Sequence, residues 1–199
     1  MSVADTVATV FAPELFVLLA TLLLLGYERR GDLAAKPLAA RLGVVAGAWV
    51  VAFAVYQGGP ELLGTAIPGG DDFFAAVGLI AAFAGIALAW RRFEWGSLLP
   101  PYAALLVATS LLHLVVVPLW DASSHVIYAA VPAGALTAVD RRFAPLFLVA
   151  PLLIWSRIAT DAHTVDEAVG GLVVAAAVLG SALALGRLPG EEDDGVDPL

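Results

Sequence analysis

Seven continuous apolar runs account for most of this 199-residue chain, and short polar segments separate them. The runs lie at about residues 10–27, 42–56, 73–90, 98–119, 126–139, 143–155 and 168–186. A helix that crosses the hydrocarbon core of a bilayer needs about 20 mostly apolar residues. The second, fifth and sixth runs are shorter, so their helices are expected to extend into the flanking polar residues. The pattern predicts an all-α, polytopic membrane bundle of six to seven transmembrane helices.

The composition indicates the same environment. Hydrophobic residues make up 61% of the chain and charged residues 14%, and the mean hydropathy is +0.92. Soluble domains contain roughly 45–50% apolar and about 25% charged residues. The chain has no cysteine, which excludes disulfides, thiolate metal ligands and cysteine nucleophiles. The net charge of −8 and the lack of a basic patch predict that nucleic acid is not a partner.

The polar segments carry the signals for turns and for orientation. The segment Gln57-Gly58-Gly59-Pro60 predicts a turn after the second run, and a loop with Asp71 and Asp72 is expected to lead to the third. Seven alternating spans can place nine of the ten lysines and arginines in the cytoplasm, with Arg157 as the exception. This topology predicts an outer N-terminus and a cytoplasmic C-terminus.

The chain is expected to form one transmembrane domain, residues 1–186, followed by a short tail, residues 187–199. Five acidic residues lie in this tail. A segment with so much charge and so little apolar surface is expected to be solvated and disordered.

Arg157, His163, Asp166 and Glu167 lie together between the sixth and seventh runs, on the predicted outer face. Polar residues this dense beside hydrocarbon are costly and mark a candidate site. His163 and Glu167 are four residues apart, so they share one face if a helix begins near His163. This spacing favours Glu167 as the carboxylate that orients His163 and stabilises its charged form, with Asp166 as the alternative.

A second polar junction, from Asp121 to His125, lies on the same predicted face. Ser123 and Ser124 precede His125 at the start of an apolar run, where free backbone N–H groups and the positive helix end can bind an anion. Arg157 offers donors that suit a phosphate. Two histidines can divide nucleophilic attack and proton donation between them without a metal. Asp121 itself is expected to be a solvated loop residue.

These two segments resemble motifs of the type 2 phosphatidic acid phosphatase family, the lipid-phosphate phosphatases related to vanadium haloperoxidases. The third motif of that family reads S-R, five residues, H, three residues, D. It is similar to Ser156-Arg157, five residues, His163, three residues, Glu167. The second motif, P-S-G-H, resembles Ala122-Ser123-Ser124-His125.

The first motif of the family, K, six residues, R-P, is not matched. At that spacing the chain has His113 and Trp120-Asp121. The resemblance covers about residues 105–186 and implies a phosphatase-like core at about 98–186.

The resemblance implies a membrane phosphatase that hydrolyses a lipid phosphate or a polyprenyl diphosphate at the outer face, with no cofactor. His163 would be the nucleophile that forms a phosphohistidine, Glu167 its orienting carboxylate and His125 the general acid. The residues expected to bind the substrate are His113, Ser123, Ser124, Ser156 and Arg157. The expected partner is a phosphorylated membrane lipid.

Two other functions remain open at this point. A catalytically impaired member of the same fold would bind a phosphorylated lipid or act as a scaffold, and the absent first motif favours this alternative. A metal-dependent membrane hydrolase would instead use His113, His125 and His163 as zinc ligands. Apolar residues do not identify a particular lipid, and the oligomeric state is not predicted.

Overall fold

The computed structural model describes residues 2–29, 38–63 and 70–190, and all regular structure within these ranges is helical. The helices are α1 (Val3–Val10), α2 (Pro13–Arg29), α3 (Leu38–Leu63), α4 (Gly70–Phe93), α5 (Leu99–Val116), α6 (Ser124–Val139), a 3-10 helix (Arg141–Leu148), α7 (Val149–Ala159) and α8 (Val165–Ala184). The predicted all-α architecture is confirmed. From residue 191 onward, the predicted tail lies outside the described residues.

Five helical segments of the described chain are long and apolar enough to cross a membrane. They are Leu38–Leu62, Gly70–Phe93, Leu99–Val116, Arg141–Ala159 and Val165–Ala184. Helices α1 and α2 pass the same test as a pair bent by 46°, which gives six spans if the pair crosses as one. Helix α6 is apolar but has 16 residues, about 24 Å of helix, whereas the hydrocarbon core is about 30 Å thick. The bundle is polytopic, and its fifth predicted run forms a short helix.

This short helix, α6, lies at the centre of the bundle. It contacts α2, α5, α7, α8 and the 3-10 helix, and most of its side chains are buried. Many of them are small, and small residues let helix backbones approach closely within a membrane. The N-terminus of α6 is therefore surrounded by other helices, which places His125 at the interior of one end of the bundle.

The predicted turn at residues 57–60 is wrong, because α3 continues through it to Leu63. The ring of Phe74 occupies the space that a Cβ on Gly59 would need, so the glycine allows α4 to pack closely against α3. Pro60 lies within the last turn of the helix, and its missing N–H removes one backbone hydrogen bond there. Tertiary packing thus outweighs the local turn signal.

Asp71 and Asp72 are also helical, whereas the sequence predicts a loop at these positions. Both lie in the first turn of α4, where carboxylates are stabilised by the positive end of the helix dipole. Helix α4 therefore begins two to three residues earlier than the apolar run suggests. As a result, two carboxylates are held at fixed positions on the same end of the bundle as His125.

Helices α3 and α4 form a closely packed pair, and Gly78 is at their contact. A Cβ on Gly78 would lie 2.7 Å from the backbone oxygen of Ala52. We expect Gly78→Ala to lower the free energy of unfolding by about 1–3 kcal/mol, because a backbone atom cannot move aside. Gly85→Ala, on the same helix with open space around the new Cβ, is the control. Equal thermal unfolding midpoints for the two variants in detergent would contradict this packing.

Candidate functional site

The turn between α7 and α8 fixes the positions of Arg157 and His163. The backbone N–H groups of Ala162 and His163 both donate to the carbonyl oxygen of Arg157, at 3.0 and 3.2 Å. Asp161 takes a positive φ of 53° to close this turn. Backbone hydrogen bonds, and not side-chain contacts alone, therefore hold Arg157 and His163 in position.

A capping box begins α8 and positions Glu167. The backbone N–H of Thr164 donates to Glu167 Oε2 at 2.8 Å, and the backbone N–H of Glu167 donates to the Thr164 hydroxyl at 3.4 Å. This reciprocal pairing satisfies two N–H groups that a helix start leaves free. It also fixes the Glu167 carboxylate beside the residue that precedes the cap, which is His163.

The segment before α6 packs directly on the start of α8. The backbone N–H of Ser123 donates to the carbonyl oxygen of Glu167 at 3.1 Å. Gly170 lies under the Trp120 ring, and a Cβ on Gly171 would be 2.7 Å from the carbonyl oxygen of Ser123. Two consecutive glycines therefore allow close contact between the segment before α6 and the segment before α8. These segments are about 40 residues apart in the chain and together form one site.

His163 is the centre of this site. Its side chain is 8% exposed, and its Nδ1 lies 3.7 Å from Glu167 Oε2 and 3.9 Å from Asp121 Oδ2. These separations are too long for hydrogen bonds and indicate electrostatic contacts. Asp166 is exposed, so the structure pairs Glu167, and not Asp166, with the imidazole.

Asp121 differs in part from its predicted solvated role. Its side chain is 59% exposed, as expected for a loop residue, but it faces the buried Nδ1 of His163. Sequence spacing gave no signal for this contact, because Asp121 and His163 belong to different segments. A second carboxylate thus accompanies Glu167 at the imidazole.

His125 and Arg157 complete the site. His125 lies within electrostatic range of both Arg157 and His163, and the guanidinium of Arg157 interacts with Asp72 and Asp121. Within the described residues, His125 Nδ1, Arg157 Nε and the Ser123 hydroxyl oxygen are buried and have no hydrogen-bond partner. Buried polar atoms are rarely left without a partner. These three atoms are therefore available to a polar ligand.

The remaining predicted residues have different surroundings. The hydroxyl of Ser156 is buried and donates to the carbonyl oxygen of Ala4 at 2.7 Å, so its proton is used to attach α1 to α7. His113 is 1% exposed and packs edge to face on Tyr128, with a centroid separation of 5.8 Å. Its Nε2 has no hydrogen-bond partner among the described residues. Ser124 is half-buried at the first position of α6.

Asp72 is the site residue that the sequence did not identify. Its carboxylate lies near the side chain of Ser124 and interacts electrostatically with His113, Asp121 and His163. The available signal was topological, since the start of the third run lies on the same predicted face as His163. The loop prediction at residues 71 and 72 concealed it.

One group of described side chains has the geometry of a cation site. Ligand atoms of Asp121, His163 and Glu167 all lie within 4.8 Å of one another. Imidazole and carboxylate groups are common ligands of divalent transition metals. The three histidines His113, His125 and His163 do not form such a group among the described residues, so the geometry does not favour the zinc set considered from sequence.

Comparison of the chain with protein-family models, with curated proteins and with solved structures finds no significant match.

Proposed function

We propose that this protein hydrolyses a phosphorylated membrane lipid through a phosphohistidine intermediate on His163. The observation that carries the proposal is the buried imidazole, whose Nδ1 lies 3.7 Å from the Glu167 carboxylate while His125 and Arg157 lie within electrostatic range. A carboxylate at Nδ1 favours the tautomer with the proton on Nδ1 and a lone pair on Nε2. That tautomer is the nucleophilic one.

In the first step, His163 Nε2 attacks phosphorus. The N–P bond forms while the bond from phosphorus to the lipid oxygen breaks. Burial, Arg157 and His163 lower the pKa of His125 to about 4 in the free site, so this imidazole takes up a proton when the phosphate binds and then donates it to the departing oxygen. Glu167 and Asp121 stabilise the positive charge that develops on the imidazole of His163. Arg157 and the free backbone N–H groups at the start of α6 stabilise the phosphoryl oxygens.

In the second step, water attacks the same phosphorus and His125 accepts a proton from it. The N–P bond breaks, inorganic phosphate leaves and the lone pair returns to His163 Nε2. His125 is therefore the acid in the first step and the base in the second, while His163 is first the nucleophile and then the leaving group. The scheme requires no cofactor.

The proposed location is the outer surface of the cell membrane. Arg91 and Arg187 line one cavity with Tyr27, so the ends of α2, α4 and α8 that carry basic residues meet at one end of the bundle. His163 lies at the opposite end. Basic ends face the cytoplasm, and this orientation gives an outer N-terminus, a cytoplasmic C-terminus and a site at the depth of lipid headgroups.

The role of Glu167 gives a specific prediction. Glu167→Gln is expected to lower kcat for phosphate release by about 10²-fold or more, because an amide does not hold the tautomer or stabilise the imidazolium. Asp166→Asn removes the neighbouring charge, which is exposed, and is expected to retain activity within about twofold. If Asp166→Asn caused the larger loss in steady-state assays, the assignment of the orienting carboxylate would be wrong.

Phosphate release by the purified protein in detergent tests the proposal. Phosphatidic acid, phosphatidylglycerol phosphate and a polyprenyl diphosphate are offered with and without EDTA. Release that persists in EDTA is expected. No release from any of these substrates by folded protein would favour a catalytically impaired, lipid-binding member of the fold.

The cluster of Asp121, His163 and Glu167 favours a second candidate, a metal-dependent hydrolase. In that enzyme, the cation would be bound between the imidazole and the two carboxylates and would activate water. Activity that EDTA abolishes and a divalent metal restores would support this candidate over the phosphohistidine mechanism.

A further inference from the structure

A cavity of about 280 Å³ adjoins the proposed phosphate site. His113, Ser124 and His125 contribute to its wall on one side, where α5 and α6 meet. Residues of α2, α3 and α4 form the other sides. Because the general acid His125 is on this wall, the cavity lies on the side of the leaving group of the substrate.

The charge of this cavity is negative. Glu14, Asp71 and Asp72 all line it, and no lysine or arginine is among its lining residues in the described part of the chain. The proposed phosphate site, by contrast, contains Arg157. A phosphate would be repelled from the cavity, whereas a cationic group would be attracted to it.

Aromatic side chains of α3 also line the cavity. Trp49, Phe53 and Tyr56 line the cavity, and their spacing of four and three residues places them on one face of α3. Aromatic faces attract cations, and cages of aromatic rings bind ammonium groups. The combination of three carboxylates and several aromatic rings therefore favours an organic cation over an anion.

His113 provides an independent indication of a ligand. It is 1% exposed, it lines the cavity, and its Nε2 has no hydrogen-bond partner among the described residues. A neutral imidazole nitrogen can accept a hydrogen bond from an ammonium N–H. The carboxylate of Asp72, already close to His113 and Ser124, provides a charged acceptor beside it.

We infer that this cavity binds the ammonium group of an amino alcohol whose phosphate ester is the substrate. The inference rests on the proposed function and narrows it to lipid-borne phosphate monoesters that carry an amine near the scissile oxygen. The phosphate contacts Arg157 and His163, the ammonium contacts Asp72 and His113, and the hydrocarbon chain leaves towards the bilayer.

Two substrates of equal chain length test this inference, 2-aminododecyl phosphate and dodecyl phosphate. For the purified protein in detergent, kcat/KM is expected to be about tenfold to hundredfold higher for 2-aminododecyl phosphate than for dodecyl phosphate. The difference is expected mainly in KM, which is lower for the amine. Asp72→Asn is expected to bring this ratio close to one. Asp161→Asn removes one charge from an exposed position outside the cavity and is expected to preserve the ratio.

Each outcome decides a different point. Hydrolysis of both substrates by the wild-type protein with equal kcat/KM, or with a preference for dodecyl phosphate, overturns the ammonium site and leaves the phosphatase proposal intact. Hydrolysis of neither substrate overturns both. A preference for the amine that Asp72→Asn does not reduce, in a variant with wild-type thermal stability, overturns the assignment to this cavity.

Discussion

Replacing His163 by alanine is expected to abolish phosphate release, with kcat reduced by about 10³-fold or more. The substitution removes the nucleophilic nitrogen, and no other imidazole can take its position, since His125 is held at the start of α6. The imidazole is only 8% exposed, but it faces the site and not the apolar core. The measurement is single-turnover and steady-state phosphate release in detergent.

Asp161→Asn is the control for His163→Ala. Asp161 lies in the same turn, is exposed and has a positive φ of 53°, which asparagine adopts at least as readily as aspartate. The control is expected to retain wild-type kcat and the same unfolding midpoint. A His163→Ala variant that folds and keeps more than about a tenth of wild-type kcat would contradict a nucleophilic role for His163.

Gly171→Ala is expected to have the largest effect on the assembly of the site. The new Cβ would lie 2.7 Å from the Ser123 carbonyl oxygen and 3.0 Å from Val126 Cβ. Relief of this clash moves α6 away from α8 and breaks the hydrogen bond from Ser123 N–H to Glu167. We expect a loss of about 1–3 kcal/mol in the free energy of unfolding, together with a kcat lowered by about 10²-fold.

Gly180→Ala is the matched control, because Gly180 lies on the same helix and no atom is within 4 Å of the position that its new Cβ would take. Alanine is expected there to be neutral or stabilising by about 0.5–1 kcal/mol. Circular dichroism in detergent gives the unfolding midpoints, and phosphate release gives the activity. Equal behaviour of the two variants would show that close contact between α6 and α8 does not position the site.

The helices were largely predictable because the free energy of burying apolar residues in a bilayer depends on local sequence. Continuous apolar runs identify the spans whatever they pack against. Their ends were less predictable. The turn expected at Gly59 and Pro60 does not form, since Phe74 packs against the glycine, and this contact joins residues of two helices that no local pattern connects.

The site was predictable where its residues are close in sequence. The spacing predicted that His163 and Glu167 share one face of a helix that begins near His163. Helix α8 instead begins at Val165, so His163 precedes it, and the capping box at Thr164 brings the Glu167 carboxylate to 3.7 Å from the imidazole. Asp121 and Asp72 were missed because each reaches His163 from a different helix or loop. The hydroxyl of Ser156 bonds to α1, a contact between residues 152 positions apart that motif spacing cannot indicate.

Detection of the covalent intermediate is the decisive test of the phosphohistidine mechanism. The protein is mixed with the lipid phosphate it hydrolyses fastest, quenched in alkali, where phosphohistidine is stable, and digested for mass spectrometry. We expect one added phosphoryl group on the peptide that contains His163, formed at least as fast as turnover and absent from His163→Ala. Active protein with no phosphoryl group on that peptide, or with the group on another residue, would contradict this mechanism.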